Sequence, residues 1–216
     1  MLGQEMSEYK SDYLYGLRYG GSNQLPDLDA GDLANNLAQG HSGRNSRMSY
    51  FGRLNYAFDN KYILTATLRN DGSSNFADGK QWGWFPSAAA AWKISQEKFM
   101  KHVDFVNSLK LRLGYGKVGN SNIRQFAYAA MLTNVPTIWG TGHTVANVPN
   151  PDVTWESTSS YNIGLDASVL NSRVNLTVDL YQKKTDNLLL ALTLPAITGT
   201  SGTGAASAPW GNIGSI

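Results

Sequence analysis

Three glycines have the spacing of a dinucleotide-binding turn. They are Gly114, Gly116 and Gly119 in the segment LRLGYGKVGN, in the order G-x-G-x-x-G. A phosphate-binding turn of this kind needs a buried, continuously apolar strand before it and a helix after it. The preceding residues instead alternate, with Lys110 and Arg112 between leucines, and NSNIRQF is a weak start for a helix. The segment therefore predicts the outer end of a β-strand rather than a nucleotide site.

Other residues with catalytic or metal-binding chemistry are isolated. The chain has no cysteine, and its three histidines, His41, His102 and His143, have no partner at metal-ligand spacing. Opposite charges such as Glu156 and Arg112 are expected to be solvated neighbours. No nucleophile elbow, HExxH or paired-carboxylate motif occurs. We therefore expect no enzyme activity, no metal and no cofactor.

The composition is unlike that of a cytosolic enzyme. Only 16% of the 216 residues are charged, against about 25% in ordinary soluble domains. Tyr, Trp and Gly are abundant, at 11, 6 and 22 residues. A net charge of +2 does not indicate the strongly basic surface that binds nucleic acid. No apolar stretch is long enough for a transmembrane helix. These features favour an extracellular or outer-membrane β protein that does not bind nucleic acid.

Six segments alternate apolar and polar residues with a period of two, which predicts β-strands. They span 47–59, 61–71, 82–94, 109–117, 154–168 and 173–185. Each is about ten residues long or slightly longer, which is the length that crosses a bilayer at a tilt. The segment SQEKFMKHVDFVNS is predicted to be a helical connection with Ser95 as its N-cap.

The connections between these strands fall into two sets. The shorter ones lie at Asp59, after Ile94 and at Asn171, and the others follow Gly72, Val118 and Leu188. Two connections of the second set are long. Short turns at one end of a sheet and long loops at the other are typical of outer-membrane barrels.

The aromatic residues of one predicted face form two belts. The belt near the short turns contains Tyr56, Phe58, Tyr62 and Trp92, and the belt near the long loops contains Trp84, Tyr115 and Trp155. Leucine, valine and alanine lie between the belts. Two aromatic belts around an apolar band are what the two interfaces of a membrane select.

The opposite predicted face is polar and charged. It carries Arg53, Arg69, Lys110, Arg112, Asp166, Asp179 and Lys183. So many charges would be prohibitive in a sandwich core, but they are compatible with a wet or plugged lumen. The pattern favours an antiparallel transmembrane β-barrel over the alternative of a soluble carbohydrate-binding β-sandwich, whose apolar face would be internal.

Five segments resemble, in the same order, the C-terminal barrel of the SusC/RagA family of TonB-linked outer-membrane proteins, which are TonB-dependent receptors. They are SYFGRLNYAFDNKYILTATLRNDGSSNF, WGWFPSAAAAWKIS, LKLRLGYGKVGN, NPDVTWESTSSYNIGLDAS and RVNLTVDLYQKKTDNLLL. The similarity covers about residues 47–190, which is most of the chain.

The resemblance implies an all-β fragment of a larger barrel of about 22 strands. We expect about six to eight of those strands here, with short periplasmic turns and long extracellular loops. The expected division is a strand remnant and loop over 1–43, six barrel strands over 44–187 and an extracellular loop over 188–216, with the plug domain absent.

The resemblance also implies a function and partners for the whole protein. The family imports nutrients, usually oligosaccharides or peptides, across the outer membrane of Gram-negative, Bacteroidetes-like bacteria. The expected partners are the TonB complex, contacted through an absent N-terminal part, a SusD-like surface lipoprotein, the substrate and the outer-membrane lipids.

Three aromatic residues in or beside the loop after Val118 are candidates for ligand contact. They are Trp139, Tyr128 and Trp155, chosen because aromatic side chains commonly line ligand sites and stack on sugar rings. Each has a plainer alternative, which is membrane anchoring for Trp155 and packing within the loop for Trp139 and Tyr128.

Overall fold

The computed structural model of the chain consists almost entirely of β-strands, and it describes residues 1–20, 27–28, 31, 36–198 and 205–216. The strands are β1 (Leu2–Arg18), β2 (Asn36–Phe58), β3 (Tyr62–Ser73), β4 (Trp82–Lys93), β5 (Val106–Asn120), β6 (Leu132–Thr137), β7 (Gly140–Val145), β8 (Glu156–Val169), β9 (Val174–Ala191) and β10 (Trp210–Ser215). Three single turns of 3-10 helix complete the described elements, at Ile94–Gln96, Lys98–Met100 and Ala196–Thr198.

Eight of these strands form one sheet in the order β1-β2-β3-β4-β5-β8-β9-β10, and β6 and β7 pair as a separate hairpin. The described ladders run from β2 through β3, β4, β5, β8 and β9 to β10, and every neighbouring pair among them is antiparallel. The β2–β3 turn has positive φ angles at Asp59 and Asn60, which these two residue types tolerate well. The predicted antiparallel barrel segment is therefore confirmed.

The described chain divides into two compact units. The larger unit comprises Met1–Met6 and Arg47–Ile216, and the smaller comprises Ser7–Ser46. Within the smaller unit, Arg44 forms an ion pair with Glu8, and the rings of Tyr13 and His41 lie 4.9 Å apart. The residues of the candidate site all belong to the larger unit.

The ladder registers sort the side chains of the larger unit onto two faces. One row across the sheet is Tyr56, Leu64, Ala90, Leu113, Ile163 and Leu180, and this side is the apolar face. A row on the other side is Arg53, Thr67, Ser87, Gly116, Ser160 and Lys183, and this side is the polar face. Because strand residues alternate in direction, the registers fix both faces at once.

The buried side chains gather at the long-loop end of the sheet. Phe76 and Val153 are completely buried. The cluster is completed by Ile123, Ala127 and Leu189, with Tyr128, Trp155 and Trp210 packed against it. The side-chain amide of Asn75 donates to the carbonyl oxygens of Ser121 and Ile123. The connections after β3 and β5 thus share one small core with the end of β9 and the start of β10.

The connection between β4 and β5 is not the predicted helix. Ser95 lies inside the first of two separate 3-10 turns, and no side chain caps either turn. Glu97, between them, has an extended backbone. Its carboxylate instead accepts hydrogen bonds from Tyr62 and Trp92, so side-chain bonds to the strands prevail over helix formation.

Strand lengths also differ from the expectation. Instead of a short remnant, β1 extends to Arg18, and β2 begins at Asn36, within the segment expected to be a loop. The segments LGQEMSEYK and NLAQGHSGRN lack clean alternation of apolar and polar residues. The period-of-two rule therefore missed these extensions, whose pairing does not depend on a buried face.

The glycines of the G-x-G-x-x-G segment make room for neighbouring side chains. A Cβ atom at Gly119 would overlap the ring of Phe85, and one at Gly114 would overlap the side-chain amide of Asn162. At Gly116 the nearest atom would be the Cβ of Ser87, at an ordinary distance of 3.8 Å. Packing against the buried ring of Phe85 thus requires a glycine at position 119, whereas the exposed side chain of Asn162 can move away from position 114.

We expect Gly119→Ala to destabilise the full-length protein, because the methyl group must displace Phe85. The cost should be about 1–3 kcal/mol, as for other overpacked sites. Gly116→Ala, three residues away, is the matched control and should be nearly neutral, because its Cβ would make only an ordinary contact with Ser87. The measurement is the midpoint temperature at which heat-modifiable gel mobility is lost; equal midpoints for both variants would contradict this explanation.

Candidate functional site

Arg112 bridges two carboxylates in the middle of the polar face. Its Nε and Nη2 donate to the two oxygens of Asp166, at 2.8 and 3.0 Å, and Nη2 also donates to Asp179 at 2.9 Å. The ladder places Gly164 between Arg112 and Asp179. A Cβ atom at Gly164 would overlap both of their side chains. The missing side chain thus allows an ion network across β5, β8 and β9.

A second ion network lies nearer the long-loop end of the polar face. Arg69 donates through Nε to Asp71 at 2.5 Å, and through Nη2 to Glu5 at 3.0 Å and to Ser49 at 2.9 Å. The guanidinium also lies 5.7 Å from the ring centre of Phe51, within the range of a cation–π contact. These contacts neutralise Arg69 and connect β1, β2 and β3.

The registers place every residue of the predicted charged set on the polar face. That set is Arg53, Arg69, Lys110, Arg112, Asp166, Asp179 and Lys183. Arg53 donates to the hydroxyl of Thr67 at 3.2 Å, and Lys110 is the ladder partner of Asp166. Small residues, among them Ser87, Ala89 and Gly116, lie between these charges on β4 and β5.

The apolar face is exposed across the sheet. Leu64, Leu113 and Ile163 are about half exposed, and Leu180 is 65% exposed. A soluble β-sandwich would bury such a face against a second sheet. Contiguous exposed apolar surface on this scale marks a membrane or protein interface. The structure therefore contradicts the soluble sandwich and fits a face that meets lipid.

The belt at the short-turn end is a stack of aromatic rings held by one carboxylate. The ring of Tyr62 lies 6.4 Å from that of Phe58 and 6.4 Å from that of Trp92. The Tyr62 hydroxyl donates to Glu97 at 2.6 Å, and the Trp92 indole donates to the same oxygen at 3.1 Å. Tyr56 follows on the same face, one ladder row away. Aromatic rings with a polar edge are suited to a membrane interface.

The hydrogen bonds from Tyr62 and Trp92 hold the pKa of Glu97 below its ordinary value. Lys61 lies 2.8 Å from Asp59 and 3.8 Å from Glu97. Its bond to Asp59 raises the pKa of Lys61 and lowers the pKa of Asp59. The turns at this end are therefore tied together by charges as well as by rings.

The belt at the long-loop end differs from the prediction at one residue. Trp84 is 60% exposed on the apolar face, and Tyr115 pairs with Tyr161 at 5.0 Å. A further pair, Tyr50 and Trp82 at 5.9 Å, was missed, although both residues follow the same alternation.

Trp155 lies elsewhere, against Phe76 and Phe85, with 5.3 Å between ring centres in both cases. Its indole nitrogen donates to the carbonyl oxygen of Gln81 at 2.9 Å. Phe85 alternates with Trp84 and so belongs to the opposite side of β4. Because β8 begins only at Glu156, the alternation of that strand does not extend to Trp155.

The three candidates for ligand contact do not form one site. Tyr128 and Trp155 both pack against the buried cluster at the long-loop end. Trp139 lies at the turn of the β6–β7 hairpin and is 91% exposed. Of the three, Trp139 presents the most ring surface to solvent.

Within the described ranges, no group of histidine and acidic side chains has the arrangement needed to hold a metal ion. The described residues include no helix that is long and apolar enough to cross a membrane.

A single antiparallel sheet with an exposed apolar face, a charged opposite face and aromatic side chains at both ends defines a segment of an outer-membrane β-barrel. Residues 3–216 match the family model described as TonB dependent receptor-like, beta-barrel. The chain belongs to this TonB-dependent receptor family, and its relatives place it with the SusC/RagA group in the outer membrane.

Among curated relatives, TonB-dependent receptor P26 of Formosa agariphila is 46% identical over 155 residues, covering 70% of this chain and 16% of that protein. TonB-dependent receptor SusC of Bacteroides thetaiotaomicron is 42% identical over 166 residues, covering 73% and 17%. The solved structure of the RagAB peptide transporter superposes with a TM-score of 0.85 at 30% identity, covering 99% of this chain and 24% of that one. The chain thus spans a small part of each relative.

We predict that Glu97→Gln weakens the acid sensitivity of the full-length protein. Since folding lowers the pKa of Glu97, its carboxylate stabilises the fold above the ordinary glutamate pKa. That stabilisation is lost as the pH falls from the ordinary glutamate pKa through the lowered value. The unfolding temperature of the wild type should therefore fall further over this range than that of Glu97→Gln.

The measurement is the heat-modifiable midpoint at several pH values. Asp104→Asn, which changes an exposed carboxylate of the same connection, is the control and should follow the wild-type profile. If Glu97→Gln also follows that profile, the carboxylate does not hold the aromatic stack.

Proposed function

We propose that the whole protein imports a nutrient, an oligosaccharide or a peptide, across the outer membrane. In this proposal the described sheet is part of the transporter wall, with lipid on its apolar face and the lumen on its polar face. The charged residues from Arg53 to Lys183 then line the lumen. The observation that carries the proposal is the sorting of a single sheet into one exposed apolar face and one charged face.

The centre of the polar face supports a role in passage. Ser87, Ala89, Gly114 and Gly116 lie together there on β4 and β5. Their small side chains leave space on the lumen side, while Arg112 and its two carboxylates keep that side wet. Small and charged side chains on one face suit a wall that contacts hydrated cargo better than one that packs a dry core.

The relatives support the energy source and the partners. The curated relatives are named TonB-dependent receptors, and the solved relative is named a peptide transporter. We accordingly propose that the TonB complex supplies the energy and that a SusD-like surface lipoprotein assists capture. Names of this kind also favour transport over enzyme activity.

We also propose an extracellular role for Trp139. The β6–β7 hairpin lies in the connection between β5 and β8, on the long-loop side of the sheet. With 91% of its surface exposed, Trp139 can meet a ligand before that ligand reaches the lumen.

Two bulky substitutions on opposite faces test the transport proposal. Gly116→Trp adds a large ring on the polar face, where a Cβ atom would meet only the Cβ of Ser87 at 3.8 Å, and should reduce uptake several-fold without preventing assembly. Ala88→Trp adds the same ring on the apolar face, one residue from Ser87, and should leave uptake unchanged.

The assay is uptake of a labelled nutrient by a strain whose chromosomal gene is deleted and replaced by each full-length variant. The nutrient is the one whose use is lost on deletion, and TonB depletion should abolish its uptake. Equal uptake by the two variants, with equal amounts in the outer membrane, would count against a lumenal polar face. Full uptake after TonB depletion would refute the proposed energy source.

A further inference from the structure

A small polar cavity opens on the polar face near the long-loop end. It has a volume of about 180 Å³ and lies between the middle of β2 and the ends of β3 and β5, with Trp155 beside them. We refer to it as the Arg47 pocket, lined by Arg47, Ser49, Arg69, Asp71, Asn120 and Trp155. Ligand sites for whole drug-sized molecules are larger, about 300–1,000 Å³, so this pocket fits one terminal group of a longer molecule.

The two arginines of the pocket differ in their charge balance. Arg69 is neutralised by Asp71 and Glu5, which lie 2.5 and 3.0 Å away. Arg47, which is exposed, forms no ion pair with any residue in the described part of the chain. Arg47 therefore keeps its guanidinium donors free for a ligand, and the hydrogen bonds of a guanidinium are strongest when a carboxylate accepts them.

The hydroxyl of Ser49 is a second hydrogen-bond donor in the pocket, beside Arg47. The side chain is buried, and its oxygen accepts a hydrogen bond from Arg69 at 2.9 Å. Because a hydroxyl both accepts and donates, the Ser49 proton is left for an acceptor in the pocket. Arg69 thus orients Ser49 while Arg47 supplies the charge.

Trp155 provides a fixed apolar wall. Phe76 and Phe85 pack on its ring, and its indole nitrogen donates a hydrogen bond to the carbonyl oxygen of Gln81. Asn120 donates to Glu156 at 3.1 Å, and its oxygen accepts from the backbone of Asn122. These side chains are held by bonds outside the pocket, so its shape exists before a ligand arrives.

We propose that the Arg47 pocket binds a carboxylate of the transported molecule. The guanidinium of Arg47 and the hydroxyl of Ser49 donate to the carboxylate, and the adjoining residue or sugar ring rests beside Trp155. The carboxylate comes from the C-terminus of a peptide or from a uronic acid of an oligosaccharide. This assignment rests on the proposed transport function and adds a preference for acidic cargo.

The test is equilibrium binding to the purified full-length protein in detergent, measured by isothermal titration calorimetry. One pair of probes is trigalacturonate and neutral galactotriose, and the other is tetra-alanine and its C-terminal amide. In at least one pair the acid should bind about tenfold more tightly than its neutral partner, because hydrogen bonds to charged groups contribute that much or more. The pair that shows the preference identifies the source of the carboxylate.

Arg47→Gln should remove this preference, because the affinity for the acidic probe should fall about tenfold while the affinity for the neutral probe is unchanged. Arg53→Gln, on the same strand and face but outside the pocket, is the matched control and should keep the preference. Equal affinities within both pairs, no binding of any probe at millimolar concentration, or equal losses in the two variants would overturn the proposal.

Uptake measurements separate this proposal from the transport proposal. If Arg47→Gln leaves acid binding unchanged while the wild-type protein still imports a nutrient in a TonB-dependent manner, only the carboxylate site is wrong. If TonB-dependent uptake itself is missing, the proposed function is wrong, whatever the calorimetry shows.

Discussion

Backbone hydrogen bonding inside a hydrocarbon layer is the constraint on which the rest of the structure depends. Lipid offers no partner to a free N–H or C=O group, so a spanning sheet must pair its strands continuously. The ladders from β2 to β5 and from β8 to β9 meet this demand. Pro86, which has no N–H, lies just beyond the last β4–β5 pair, Ser87 with Gly116, at the point where the pairing of these strands ends. The same constraint requires β1 and β10, the edges of the sheet, to pair with further strands in the whole protein.

Continuous pairing fixes the direction of every side chain, and this has consequences for packing and charge. One face is apolar and exposed without a covering layer, while the other collects charges that must find partners on neighbouring strands. Arg112 finds two carboxylates only because Gly164 has no side chain between them. Phe85 occupies the space beside Gly119 for the same reason. Of the glycines that resemble a phosphate-binding turn, Gly119 is therefore a product of close packing at the end of its strand.

The alternation of apolar and polar residues was sufficient to predict the strands whose two faces have different surroundings. It placed Leu113 and Arg112 on opposite faces correctly, because one of them belongs to the apolar face and the other has charged partners. It failed where no such contrast exists, as in the polar extension of β1 to Arg18. It also failed for Trp155, which precedes β8 and is positioned by loop packing. The Arg47 pocket could not be predicted from sequence, since its walls come from four separate segments and its charge balance depends on which carboxylates reach Arg69.

The most direct test is to measure whether each side chain of β5 is exposed to lipid or to water. The chain has no cysteine, so single nitroxide labels can be placed at Leu111, Arg112, Leu113, Tyr115 and Gly116 in the full-length protein, after replacement of any cysteine elsewhere, and reconstituted in liposomes. Collisions with lipid-soluble oxygen and with a water-soluble nickel chelate are then measured by electron paramagnetic resonance. The account predicts two profiles that alternate out of phase, with oxygen favoured at Leu111, Leu113 and Tyr115 and nickel favoured at Arg112 and Gly116. Profiles without this alternation, or oxygen favoured at Arg112, would contradict it.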